Sequence, residues 1–178
     1  NLQLSSAAVT ASASTSATFK LEGTSPATPA ALNSGITIDG NSTTALARGN
    51  AATNALNLSA GSGYAAAAAV AGSTAGGTTQ ATAALLNTQG NSGSVTASAT
   101  GTYQVALNGV SAGTAPGLTN GTAALTDNTV AAQAYGNTAT NAVTVATTVA
   151  NRPTVAVANY QTNSGAIVAT ASGVNYGT

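Results

Sequence analysis

Three carboxylates, Glu22, Asp39 and Asp127, are the side chains of this 178-residue sequence best suited to acid–base or metal chemistry. The sequence contains no His and no Cys, so neither a Ser-His-Asp nor a Cys-His arrangement can be built. A pair of carboxylates could hydrolyse a glycosidic bond or bind Ca²⁺. Asp39 and Asp127, however, lie in like positions beside Asn41 and Asn128, in two copies of one sequence pattern, which is typical of turn residues. We therefore predict no enzymatic activity, no cofactor and no metal site.

Tyrosines are the next candidates, because aromatic rings can stack on sugar rings at a protein surface. The candidate sugar contacts are Tyr103, Tyr135, Tyr160 and Tyr176. Tyr103 and Tyr176 each follow a copy of a repeated strand pattern, as Phe19 does. An aromatic ring in that position can also close a thin core. We favour the core role and keep contact with a surface polysaccharide as the alternative.

An internal repeat supplies the elements that would position these side chains. The pattern N-x-Q-x-[NS]-S-[GA]-x-[VI]-x-A-x-A, named the Asn-x-Gln pattern, begins at Asn1, at Asn87 and at Asn159. Because copies lie near both ends of the sequence, we predict strands that join one chain to another by pairing of their edges. The predicted assembly residues are Asn1, Gln3, Val9, Asn159, Gln161 and Ile167.

A second pattern begins at Asn41 and again at Asn128, and both copies contain G-N-x-x-T-N-A. We name it the Gly-Asn pattern. One interpretation is a turn in which Asn side chains bond the backbone and Gly49 and Gly136 take positive φ. The alternative is an array of Asn and Thr side chains that binds sugar. We favour the turn.

The spacing of the copies divides the chain into repeat units. We predict a first unit at 1–86, a second at 87–158, and the start of a third unit or a terminal pairing strand at 159–178. The first unit is the longest, and a Gly/Ala-rich insertion at 61–77 accounts for the difference. This insertion is typical of a loop or an inserted hairpin.

The local pattern has a period of two residues, which is typical of β-strands. In 94–99, for example, Val and Ala would face one side of a sheet and Ser and Thr the other. Clusters of Asn, Ser and Gly separate these runs and predict turns at 33–35, 91–93, 120–121 and 163–165. The sequence therefore predicts an all-β fold.

Two all-β architectures compete. The first is an elongated, tandem-repeat, β-solenoid-like fold with three or four rungs in each unit, in which equivalent Asn, Thr or Val side chains form ladders. The second is a series of tandem antiparallel β-sandwich units. An interior made of Ala and Val favours the solenoid, since its core needs only small side chains, whereas the long period favours the sandwich. We favour the solenoid.

Charge is almost absent, because three basic residues balance three acidic ones. This composition excludes an electrostatic nucleic-acid binder, which needs clustered Lys and Arg. No apolar run is long enough for a transmembrane helix. Low charge also removes the repulsion that keeps chains apart, which suits assembly outside the cell.

The Asn-x-Gln and Gly-Asn segments resemble the Ala/Thr/Asn-rich β-strand-repeat surface proteins of alphaproteobacteria, which include holdfast-anchoring proteins. The resemblance covers most of the chain and implies a secreted, fibrous protein without catalytic residues. We expect a structural subunit or repeat segment of an extracellular filament, surface fibre or adhesin at the cell surface, which assembles with copies of itself through strand edges. A carbohydrate-binding module is the alternative, and an ice-binding protein is the less favoured one.

Overall fold

The computed structural model describes residues 1–23, 31–60, 69–71, 78–80, 83–109, 118–147 and 155–173. These residues form strands, turns and short connections, and no helix occurs among them, so the all-β prediction is confirmed. The strands are β1 (Leu2–Ser5), β2 (Val9–Gly23), β3 (Ala31–Leu32), β4 (Gly35–Asp39), β5 (Ser42–Ala60), β6 (Ala69–Ala71), β7 (Thr78–Gln80), β8 (Ala83–Asn91), β9 (Val95–Gly109), β10 (Leu118–Thr119), β11 (Thr122–Thr126), β12 (Thr129–Thr147), β13 (Val155–Asn163) and β14 (Ile167–Ser172).

Strands pair with the equivalent strands of the next repeat. β8 lies between β1 and β13 in a parallel sheet, in which Gln3 pairs with Gln89 and Gln89 pairs with Gln161. β3 and β4 pair in parallel with β10 and β11, β5 pairs with β12, and β9 lies between β2 and β14. This parallel pairing is consistent with the β-solenoid-like prediction. It disagrees with the antiparallel sandwich, because the described strands contain one antiparallel pair, β6 with β7.

The register shows that one repeat forms one layer, where a layer is the contribution of one repeat to the stacked strands. Stacked side chains are 86 residues apart from Asn1 to Asn87, 72 from Asn87 to Asn159, and 87 from Asn41 to Asn128. The prediction of three or four rungs in each unit is therefore wrong. Because individual strands are up to 19 residues long, a single layer contains the whole length of a repeat.

The described chain divides into two compact units. Unit 1 comprises residues 1–9, 47–96 and 134–168, and unit 2 comprises residues 10–46, 97–133 and 169–178. Each unit takes a segment from all three predicted repeats, because the repeats stack on one another. The compact units therefore do not coincide with the predicted repeat units.

Unit 2 has the small-residue core that the composition predicts. Ala97, Ala99 and Tyr103 are fully buried on β9, and Val105 is nearly so. The Tyr103 hydroxyl lies 2.9 Å from the Thr43 hydroxyl, which is also buried. The hydrogen bond between them satisfies the polar end of the one large ring in this core.

The predicted turns lie between strands, and two of them contain equivalent residues in the left-handed region. Asn33 and Asn120 have φ of 53° and 50°, and Asp127 has φ of 51°. Such values suit Asn and Asp, whose short side chains can bond the local backbone. Asp39 and Asp127 do not occupy like positions, since Asp39 pairs with Thr126 in the sheet register. Asp39 instead accepts a hydrogen bond of 2.6 Å from the Thr126 hydroxyl.

Most of the predicted insertion at 61–77 lies outside the described residues. Within it, β6 pairs with β7, which begins just after the insertion, in an antiparallel arrangement, as an inserted hairpin would.

Candidate functional site: amide ladders and open strand edges

Equivalent amide side chains of the Asn-x-Gln pattern stack into two ladders in unit 1. Asn87 Oδ1 accepts a hydrogen bond from Asn1 Nδ2 at 3.1 Å, and Asn87 Nδ2 donates to Asn159 Oδ1 at 2.7 Å. The Gln ladder runs in the other direction, because Gln161 Nε2 donates to Gln89 at 2.5 Å and Gln89 Nε2 donates to Gln3 at 2.7 Å. The period of two places Asn and Gln on one face, and in-register parallel pairing brings equal side chains together.

The Gln side chains also bond the strand that faces them. Gln3 Nε2 donates to the carbonyl oxygen of Ala51, and Gln89 Nε2 donates to that of Thr138, each at 3.0 Å. The same bond therefore recurs in two successive layers. It joins the sheet of β1, β8 and β13 to the sheet of β5 and β12.

The Asn side chains of the Gly-Asn pattern donate hydrogen bonds in the opposite direction, from β5 and β12 to the sheet of β1, β8 and β13. Asn50 Nδ2 donates to the carbonyl of Gly90 at 2.9 Å, and Asn137 Nδ2 donates to that of Thr162 at 2.7 Å. Asn50 also donates to Asn137 Oδ1 at 2.7 Å, which makes a further ladder. A buried amide is costly without partners and stabilising with them, so these bonds allow unit 1 to bury polar side chains.

The turn predicted for the Gly-Asn pattern is wrong. Gly49 and Gly136 lie inside β5 and β12, and neither is among the described residues with positive φ. A Cβ on Gly49 would lie 2.5 Å from the carbonyl oxygen of Gly136 and 2.9 Å from Asn91 Oδ1. Glycine is required here by the close approach of backbone and amide groups. The sugar alternative also fails at Asn50, because this side chain is buried.

One buried amide oxygen in the ladders has no partner. Asn91 Nδ2 donates to Asn163 Oδ1 at 2.7 Å and to the Gly93 carbonyl at 2.8 Å, whereas Asn91 Oδ1 makes no hydrogen bond. Ser5 occupies the paired position in the first layer. Its side chain is shorter than that of Asn, so this column of the ladder ends at Asn91.

The outer strands of the three-stranded sheet have open edges, meaning edges without a paired neighbour among the described strands. Asn87 and Gln89 on the middle strand are fully buried, whereas Asn159 and Gln161 on β13 are exposed. The outer strands β1 and β13 also carry exposed apolar side chains: Leu2, Leu4 and Val157. Open edges with apolar side chains favour pairing with a further strand.

Backbone hydrogen bonds show which residues of β1 face the open edge. Thr88 N–H donates to the Asn1 carbonyl and Ser92 N–H to the Ser5 carbonyl, each at 2.8 Å. Because successive residues of a strand direct their backbone groups to opposite sides, Leu2 and Leu4 direct theirs to the open edge.

The same alternation applies to β13. Ser164 N–H donates to the Asn91 carbonyl at 2.9 Å, so the even-numbered residues face β8. Val157 and Gln161 therefore direct their backbone N–H groups to the open edge.

The predicted assembly residues lie in three columns of unit 1 rather than in one cluster. Asn1 and Asn159 flank Asn87, and Gln3 and Gln161 flank Gln89. The third column is that of the first strand residue after each turn. Val9 N–H donates to the Ser94 carbonyl and Val95 N–H to the Ala166 carbonyl beside Ile167, each at 2.8 Å.

The tyrosines do not form one surface. Tyr103 is fully buried, so its prediction as a sugar contact is wrong and its core role is the observed one. Tyr135 and Tyr160 are each 39% exposed, and the Arg48 guanidinium lies 5.7 Å from the centre of the Tyr135 ring. Tyr176 lies outside the described residues.

Sequence reasoning missed the buried interior of unit 1. Asn87, Gln89 and Asn91 are buried there, and the repeat pattern alone does not indicate this burial. The available signal was their spacing, since alternate residues of a strand share one face.

The described residues contain no cluster of three or more potential metal ligands. Among the same residues, no helix has the length and apolarity needed to cross a membrane.

Comparisons of the chain with protein-family models, with curated proteins and with solved structures found no match. The functional proposal therefore rests on the pairing, burial and composition described above.

Proposed function

We propose that this chain is a structural subunit or repeat segment of an extracellular bacterial filament, surface fibre or adhesin, assembled from copies of itself through strand edges. One observation carries the proposal. β1 and β13 are the two outer strands of one parallel sheet, and both carry the Asn-x-Gln pattern in the same direction and register. One edge of a chain therefore matches the opposite edge of another chain.

Docking β1 of one copy on β13 of another would continue both ladders. Asn1 of the incoming chain would meet Asn159 as Asn159 meets Asn87, and Gln3 would meet Gln161 in the same way. The contact would cover amide side chains that are exposed in the single chain. It joins two different surfaces, so repetition extends a filament and does not close a dimer.

The small number of charged residues also supports the proposal. Three positive and three negative residues leave little charge to oppose association. Placement outside the cell rests on this composition and on the resemblance to β-strand-repeat surface proteins.

The first test blocks the open edge of β1 without touching its pairing to β8. Leu4→Pro removes an N–H that faces the open edge, where proline is tolerated in a strand. We expect Leu4→Pro to keep the circular dichroism spectrum of the unchanged chain and to lose filaments in electron micrographs. Leu4→Ala is the matched control: it removes the same apolar side chain, which is 75% exposed, and keeps the N–H. It should still form filaments.

A mixing experiment tests the direction of assembly. Gln161→Pro removes from β13 the N–H that would bond the Leu2 carbonyl of a docked copy, so a Leu4→Pro chain keeps only a competent β13 and a Gln161→Pro chain keeps only a competent β1. We expect each variant alone to be monomeric and an equimolar mixture to give dimers by sedimentation. Filaments from folded Leu4→Pro chains at the concentration that suffices for the unchanged chain would exclude this mode of assembly.

A further inference from the structure

The outward row of side chains along β5 and β12 has a gap. On β5 the exposed residues Arg48 and Ala51 are three positions apart instead of two, because the alternation shifts at Gly49. The same spacing separates Tyr135 from Thr138 on β12, at the equivalent positions of the second copy. Three residues of extended chain span about 10 Å, so the gap is wide enough for a small ligand.

A cleft of about 320 Å³ lies at this gap. Arg48 lines it before the gap and Thr53 and Thr140 line it beyond the gap, with Ala51 and Thr138 between them. All of these residues belong to unit 1. The volume is near the lower limit of small-molecule sites, which suits one ring-sized group.

Arg48 brings to the cleft a positive charge that has no carboxylate partner in unit 1. The three carboxylates of the chain, Glu22, Asp39 and Asp127, all lie in the sequence ranges of unit 2. Among the described residues Arg48 makes no ion pair, and its guanidinium lies 5.7 Å from the centre of the Tyr135 ring. Such a contact holds the guanidinium in place and leaves its N–H donors available to an anion.

The far side of the cleft carries hydroxyl groups. Thr53 and Thr140 are exposed, and their hydroxyls make no hydrogen bond among the described residues. The Thr138 hydroxyl, by contrast, donates to the Asn50 carbonyl at 3.2 Å. A guanidinium can bind a carboxylate through two parallel N–H bonds, and a Thr hydroxyl can donate to or accept from a ligand hydroxyl. A ligand that suits both sides therefore carries a carboxylate on a small hydroxylated ring.

We propose that this cleft binds one uronate residue of an acidic carbohydrate, with the carboxylate on Arg48 and ring hydroxyls on Thr53 and Thr140. The proposal goes beyond the proposed function, because β1 and β13, through which chains would join, do not line the cleft. A pair between an exposed Arg and a carboxylate is worth little in water, so one cleft should bind weakly. Several clefts on joined chains would bind one polymer more strongly.

The test measures the binding of a fluorescently labelled galacturonate trimer to the full chain by anisotropy. The matched probe is the labelled trimer in which every carboxylate has been reduced to a hydroxymethyl group. We expect saturable binding of the galacturonate trimer and about tenfold weaker binding, or less, of the reduced trimer, because the charge-assisted hydrogen bonds to the carboxylate are lost. Equal binding of the two trimers would overturn the proposal, as would sulfate that displaces the galacturonate trimer as well as unlabelled trimer does.

Two pairs of variants locate the binding. Arg48→Gln and Lys20→Gln each remove one positive charge, but Lys20 belongs to unit 2. Ala51→Leu and Ala55→Leu each enlarge an exposed side chain of β5, but Ala55 does not line the cleft. We expect Arg48→Gln and Ala51→Leu to weaken binding about tenfold or more, and Lys20→Gln and Ala55→Leu to change it by less than about twofold. All four variants should keep the circular dichroism spectrum of the unchanged chain, since each substitution is at an exposed residue or on a side chain that makes no core contact.

The variants also separate a built site from attraction by charge alone. Equal losses in Arg48→Gln and Lys20→Gln would mean that the net charge of the chain attracts the trimer, and unchanged binding in Ala51→Leu would place the trimer outside the cleft. Either result overturns the proposal. Filaments without galacturonate binding would overturn the uronate site alone, and galacturonate binding without filaments would overturn only the proposed assembly.

Discussion

Buried amide side chains, together with Val95, occupy the interior of unit 1. Gln89 and Asn87 are among the largest fully buried side chains of the described chain. Each has partners in the layers above and below, and Gln89 also bonds the facing strand. A satisfied network of this kind stabilises one register, because a shift of one residue would leave every amide unpaired.

Because Asn91 Oδ1 has no hydrogen-bond partner, we expect a substitution that supplies a donor to stabilise the chain. We expect Ser5→Asn to donate a hydrogen bond to Asn91 Oδ1, as Asn1 does to Asn87, and to raise the free energy of unfolding by about 1 kcal/mol. Urea denaturation followed by circular dichroism measures the difference. Ser6→Asn, at the exposed neighbouring position, is the control and should change stability by less than about 0.5 kcal/mol. Equal effects of the two substitutions would show that the ladder does not extend to position 5.

A second prediction at the residue scale concerns the hydrogen bond between Tyr103 and Thr43 in unit 2. Tyr103→Phe leaves the buried Thr43 hydroxyl without this partner and should cost about 1–2 kcal/mol in urea denaturation. Thr43→Val in the same chain removes the orphaned hydroxyl at nearly constant volume, so the double variant should recover part of the loss. Additive losses in this double-mutant cycle would mean that the hydroxyls do not stabilise each other.

At the scale of elements, the long strand β5 changes phase once. Thr43, Ala45 and Ala47 are buried at a spacing of two, and the next buried residue is Asn50. The alternation of buried and exposed residues shifts by one residue across Arg48 and Gly49. Before this shift the buried side chains of β5 are those of Thr and Ala, and after it the buried side chain is that of an Asn.

A substitution tests whether glycine is required at position 49, where this alternation shifts. Gly49→Ala would place a Cβ 2.5 Å from a backbone carbonyl that cannot move independently, so we expect a loss of about 1–3 kcal/mol in the free energy of unfolding. Gly35→Ala is the control, since its Cβ would meet only the Thr122 hydroxyl oxygen, at 3.3 Å. A Gly49→Ala chain as stable as the Gly35→Ala chain would show that β5 and β12 can move apart locally at little cost.

At the scale of the whole molecule, stability owes little to charge. The chain has three basic and three acidic residues, and its interior bonds join neutral amides. We expect the free energy of unfolding to change by less than about 0.5 kcal/mol between about 0.05 M and 0.5 M NaCl, because screening acts on charges. A change above about 1 kcal/mol in parallel urea titrations would point to an ion-pair contribution.

Much of the element level was predictable from local pattern. The alternation in 94–99 became β9, and the Asn-Ser-Gly clusters at 91–93 and 163–165 separate strands. The repeat spacing also predicted which residues are equivalent. The candidate site was predicted only in part: the residues of β1 and β13 were identified, but the buried role of Gln89 and the in-strand position of Gly49 were not. The period of two predicts which face of a strand a residue lies on, but it does not predict what packs against that face.

The sequence by itself determined that the chain is all-β and that equivalent Asn and Gln residues recur at fixed faces, because side-chain alternation and turn chemistry are local. Only the tertiary structure decided that a whole repeat forms one layer and that its amide face is an interior. That decision depends on pairing between residues 72 to 87 positions apart, for which no local preference exists. The difference between a buried Gln89 and an exposed Gln161 is likewise tertiary, since equal side chains differ only in whether another layer and a facing strand cover them.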